Sequence, residues 1–148
     1  MSLTILSLKD VDNINEKKHL LTDEEVQKMY SEVFISNKCL FTNYGDWNNT
    51  HSLLFDSYRG DKLSFHRDDV GFIPSTTLKE IINSNSFQKK YKEMKREFYD
   101  ELDLYYEWEF DENEDLDKPD IKLLENHSKD LKIIEFIIKL SDEGISYS

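Results

Sequence analysis

One periodic stretch constrains this chain more than any other. Phe87, Tyr91, Met94, Phe98, Leu102 and Tyr105 recur at spacings of three and four residues. That is the period of one face of an α-helix, held for about five turns. A helix with a single apolar stripe must lay that stripe against a second layer. The chain offers one. From about Asp120 to Asp142, Leu131, Ile134 and Ile138 fall on one side and Ile133, Ile137 and Leu140 on another. A helix that is apolar on more than one side belongs in the centre of a core, and Gly144 can end it. A break is expected near His127-Ser128.

Other helices can be read from their ends. Thr22 can cap a helix with its hydroxyl, and Glu25, three residues on, completes a capping box. Val26, Met29, Tyr30 and Val33 then share one face, to about Ser36. Pro74 breaks the chain, and Ser75 or Thr76 can cap a short helix with Leu78, Ile81 and Ile82 inside. Residues 83–86 interrupt it and cap the next one. The polar run from Asp10 to Lys18 reads as a loop.

Strands are expected elsewhere. Leu3 to Leu8 is short and apolar. Cys39–Tyr44, His51–Tyr58 and Lys62–Arg67 are rich in Phe, Tyr, Leu and Thr, with Gly- and Asn-containing gaps between them. These three runs predict a small antiparallel meander over about 39–67. The fold class is therefore α+β. One domain spans residues 1–148, with the meander packed by an N-terminal helix and two or three C-terminal helices.

Charge points toward function. The 148 residues carry a formal net charge of -12. From Glu97 to Asp117 there are eleven acidic side chains and no Lys or Arg, so this run holds nearly all of the excess. It is interleaved with Phe98, Tyr99, Tyr105, Tyr106, Trp108 and Phe110. Concentrated acid speeds encounter with a basic surface, and aromatic rings then grip it. Past Leu104 the rings Tyr106, Trp108 and Phe110 alternate with acids, which is strand periodicity. The long helix is therefore expected to end near Leu104 and continue as an extended aromatic segment, with one helix to Phe110 as the alternative. A cluster of cations, Lys89, Lys90, Lys92, Lys95 and Arg96, precedes the acids. Such an order runs against the helix dipole.

Catalytic and metal motifs are thin. Asp111, Asn113, Asp115 and Asp117 alternate like the first ligands of a calcium loop. The pattern fails at Leu116, where the turn needs Gly, and at Lys122, where it needs a bidentate Glu. No phosphate-binding loop, dinucleotide fingerprint or nucleophile elbow is present. A metal-dependent enzyme centred on His66, Asp68 and Asp69, with His51 as companion, is a second reading. A self-associating assembly subunit using the apolar last helix is a third. Cys39 cannot form an internal disulfide and is expected to be inert.

The leading expectation is a small acidic binding protein of inhibitor or immunity type. It would mask a basic protein such as a nuclease toxin, with carboxylates standing in for phosphates. Tyr105, Tyr106, Glu107, Trp108, Glu109, Asp111, Glu112, Glu114 and Asp115 would make the contacts. No cofactor or metal is expected. Direct nucleic-acid binding conflicts with the acidic balance. No run suits a membrane span, and the N-terminus lacks signal-peptide character, so a cytoplasmic location is expected.

Overall fold

The structure is a computed structural model that describes residues 2–56, 71–110 and 119–148. It is α+β, with six α-helices and four strands among those residues. The strands are β1 (Ser2–Ser7), β2 (Cys39–Asn43), β3 (Gly71–Ile73) and β4 (Ile145–Tyr147). They form one antiparallel sheet in the order β2-β1-β4-β3. The central pair therefore joins the first and last strands: Ile5 lies opposite Tyr147, and Ser7 opposite Ile145.

The helices are α1 (Leu8–Lys17), α2 (Asp23–Phe34), α3 (Tyr44–Asp56), α4 (Ser75–Ile82), α5 (Asn85–Phe110) and α6 (Ile121–Lys139). The capping box at the start of α2 is present, with Thr22 and Glu25 bonding each other's backbone N–H. In β1, Leu3 and Ile5 are fully buried and enter a core with Ile73, Ile145 and Tyr147. Strand alternation puts these on one sheet face. Trp47 and Leu54 of α3, Leu78 and Ile81 of α4, Phe87 of α5 and Ile133, Ile134 and Ile137 of α6 complete the same cluster. Leu6 points to the opposite face by alternation. It and Ile14 of α1 are buried outside that cluster.

Five expectations are corrected. The meander over 39–67 does not form as such, because His51 to Asp56 belongs to α3 and β2 pairs with β1. Helical spacing explains it: Trp47, Thr50, His51 and Leu54 recur at three and four and are all buried. Its third strand, 62–67, lies outside the described residues. The polar run Asp10–Lys18 is mostly helix, capped by the Ser7 hydroxyl accepting from the Asp10 N–H. The long helix continues unbroken to Phe110. The helix in 121–139 shows no interruption at His127, and α4 is capped by Pro74 with no side-chain hydrogen bond.

Gly144 turns the chain from α6 into β4 at φ +77, and a Cβ there would stand 2.7 Å from the Ile73 carbonyl oxygen. Only glycine suits both constraints.

Candidate functional site

The long α5 helix spans 26 residues, about 39 Å at 1.5 Å per residue. Its start is fixed by Ser84, whose hydroxyl accepts from the Phe87 N–H at 3.2 Å. Burial along its apolar stripe fades with distance from the sheet. Phe87 is fully buried, whereas Tyr91, Met94, Phe98, Leu102 and Tyr105 are all half-buried. The second half of α5 thus leaves the core and is held mainly by α6.

Polar contacts tie those two helices together along their length. The Tyr91 hydroxyl donates to Glu135 at 3.4 Å. His127 Nε2 lies 2.9 Å from Glu97. The Asp120 N–H donates to the Glu101 carboxylate at 3.0 Å, which stitches α5 to the first turn of α6. Burial of the Tyr91 ring, with Glu135 beside it, pushes its hydroxyl above the ordinary value. Lys95 sits 5.0 Å above the same ring.

The outward side of α5 has a different composition. At 100° per residue, Glu93, Asp100, Asp103 and Glu107 point away from the packed stripe, and all four are exposed, while Glu97 lies at its margin and reaches His127. Rings flank them: Tyr99 is 53%, Tyr106 51% and Trp108 43% exposed. Lys89 and Arg96 share the outward side nearer the helix start. Like charges meet at helical spacing in Glu93/Glu97, Glu97/Asp100, Glu97/Glu101, Asp100/Asp103 and Asp103/Glu107. Each such pair destabilises a helix by roughly 0.2–0.5 kcal/mol, and anions near the C-terminus oppose the dipole. The acidic face is therefore a local cost to this helix.

The expected contact residues separate into four groups. Tyr106, Glu107 and Trp108 stand exposed on the last turns of α5. Tyr105 instead belongs to the packed stripe and is half-buried, 5.9 Å from the Tyr106 ring. Glu109 lies in the final turn of the helix. Asp111, Glu112, Glu114 and Asp115 lie outside the described residues, as does the whole calcium-like pattern up to Asp117. Glu93, Asp100 and Asp103 complete the outward stripe, and reading the acids on a 3.6-residue period would have found them.

The other readings can be placed as well. His66, Asp68 and Asp69 lie outside the described residues. His51 is buried on α3, with its ring centroid 5.9 Å from Trp47 and 6.4 Å from Tyr147. Among the described residues no group of three His, Cys, Asp or Glu side chains is placed to hold a metal ion. The apolar sides of α6 are occupied within the chain, since Leu131, Ile133, Ile134 and Ile137 are all buried. Cys39 is half-buried on β2, and burial raises its thiol above the ordinary value. That disfavours the reactive thiolate. Among the described residues no helix is long and apolar enough to cross a membrane.

No protein-family model, curated protein or solved structure matches this chain.

Proposed function

We propose that this chain is a small cytoplasmic binding protein that masks a basic protein partner through the outward face of α5. An inhibitor or immunity-type protein that covers the phosphate-binding cleft of a nuclease toxin fits that chemistry. The carboxylates would replace phosphates at the partner's Lys and Arg side chains, and the rings would anchor in apolar recesses between them.

One observation carries this reading. Asp100, Asp103 and Glu107 stand exposed in one stripe, flanked by Tyr99, Tyr106 and Trp108, on a helix that this charge order destabilises. Acids collected against the dipole cost this helix stability in the free protein. A cationic partner would relieve the repulsion on binding, and the acidic field would raise the on-rate at low salt by roughly 10- to 1,000-fold.

The test starts with affinity capture from the source cells at low and high salt, followed by titration of the purified partner. Asp103→Lys with Glu107→Lys should weaken binding roughly tenfold or more, chiefly through the on-rate, and flatten its salt dependence. Trp108→Ala should act mainly by speeding dissociation. A partner that is not basic, or one that binds the doubly reversed variant equally well at every salt concentration, would sink the proposal.

A further inference from the structure

A second surface lies at the edge of the sheet. Strand β2 is terminal in the order β2-β1-β4-β3, and its pairing to β1 is through Leu3↔Thr42, Thr4↔Phe41 and Ile5↔Leu40. Thr4 exchanges both of its backbone hydrogen bonds with Ser148, at 2.8 and 3.1 Å. In an antiparallel sheet the groups of Leu3 and Ile5 must then turn toward β2, where Leu40 and Thr42 answer them. The N–H and C=O of Cys39 and Phe41 and the N–H of Asn43 consequently point out of the sheet, while the Asn43 carbonyl lies at the start of α3. Among the described residues no strand pairs with them.

Natural sheets guard such edges with lysine, proline or a bulge within the strand. The sequence of β2, Cys39-Leu40-Phe41-Thr42-Asn43, has no charge and no proline. Its two sides differ in chemistry. On the side away from the main core Phe41 is 63% exposed, and its ring lies 6.3 Å from that of Phe34, itself stacked at 6.2 Å on Tyr30. On the core side a groove of about 200 Å³ opens between Leu40, Thr42, Asp46 and the α6 residues Lys129, Lys132 and Ile133. Asp46 is held by Asn43, whose side-chain amide donates to it at 2.9 Å. Lys129 and Lys132 are exposed and make no ion pair among the described residues. In a chain of net charge -12, two cations lining a groove beside an edge that no described strand pairs are an exception to the surrounding field.

We propose that the free edge of β2 takes up an extended acidic segment of another protein as an additional strand. Side chains of an added strand alternate between the two faces. Those on the groove side meet Lys129 and Lys132 and must be acidic. Those on the other side meet Phe41 and Phe34 and must be apolar. The recognised pattern is therefore acid alternating with apolar, and the backbone of β2 supplies the main-chain bonds. Within the groove the two lysines outnumber Asp46, and acids farther away than about 8 Å are largely screened at physiological salt. This surface is separate from the outward face of α5, and neither proposal depends on the other.

A capped ten-residue peptide alternating Glu and Val provides the probe, with its Lys-for-Glu counterpart as control. On titration into the full chain, the amides of Cys39, Phe41 and Asn43 should slow in hydrogen exchange. Those of Leu40 and Thr42, already bonded to β1, should not change. Lys129→Glu with Lys132→Glu should weaken the peptide roughly tenfold or more, and Phe41→Ser should weaken it as well. Equal binding of the Lys-for-Glu peptide would overturn the assignment, as would unchanged exchange at Phe41 in the presence of saturating peptide. So would protection of the same three amides in the peptide-free protein with rising concentration, which would make a second copy of the chain the occupant.

Discussion

Glu143 sits in the turn before β4 and accepts hydrogen bonds from the Ser7 hydroxyl at 3.0 Å and the Lys38 ammonium at 2.9 Å. It thereby ties the α1 cap and the entry to β2 to the last strand. Burial alone would push its carboxyl up. The bonds from Lys38 and Ser7 and the charge of Lys38 outweigh that and hold it below the ordinary value. A lowered carboxyl stabilises the fold above its unfolded-state pKa, and that contribution is lost as the pH falls through the folded value. Glu143→Gln should cost about 1–2 kcal/mol at neutral pH, with the deficit narrowing in acid, as read by denaturant titration across pH. Asp130 has the opposite sign. It is buried on α6, and desolvation raises its carboxyl despite a bond from Asn49 and the nearby His127. Its stabilising form is the protonated one, present at low pH and lost as the pH rises through the raised value. Asp130→Asn should therefore melt higher than the wild type at neutral pH, with the gap closing toward the ordinary carboxylate range. A variant that melts lower at neutral pH would mean that the ionised carboxylate is needed where it stands.

Within α5, stability and surface chemistry pull in opposite directions. Its first half is anchored by Phe87 in the core, and its second half carries the acidic stripe with only half-buried residues beneath. Replacing Asp100, Asp103 and Glu107 with Asn, Asn and Gln removes three of the five like-charge contacts and part of the dipole conflict. Stability should rise by on the order of 1 kcal/mol, and the gain that added salt gives the wild type should shrink. Thermal melts over a salt series measure both effects, and a loss of stability would show that the acids hold the helix together. This helix also shows what local sequence can and cannot disclose. The Phe87–Tyr105 stripe and the Thr22/Glu25 box were legible because both signals are contained within a few turns. The end of α5 was misread because Tyr106, Trp108 and Phe110 alternate like a strand, while their place in the chain continues a helix already nucleated. In α1 a single buried residue, Ile14, leaves almost no periodicity to read. In α3 the run Leu53-Leu54-Phe55 hid a helical spacing that starts at Trp47.

Across the whole molecule the α+β class was legible, but the sheet order was not. Ile145–Tyr147 is too short to announce itself as a strand, yet it occupies the centre of the sheet between β1 and β3. Ile145 and Tyr147 are among the most buried side chains in the core. Pairing between the two ends of the sequence leaves no local trace in either. Deleting residues 145–148 removes both the shared neighbour of β1 and β3 and two core side chains. The truncated chain should lose its cooperative unfolding transition, observable by denaturant titration with circular dichroism, whereas a short deletion at an exposed helix terminus would leave one. The same arrangement has a consequence for synthesis. At roughly 5–20 residues per second, about 140 residues must be added after β1 before its central partner exists, a wait of roughly seven to thirty seconds. During that time β1 can pair with β2 on one side only, and its other edge stays open beside uncovered Leu3 and Ile5. A growing chain of this topology is therefore most exposed to misassociation just before its final strand is made, which makes the speed of elongation through α5 and α6 a determinant of yield.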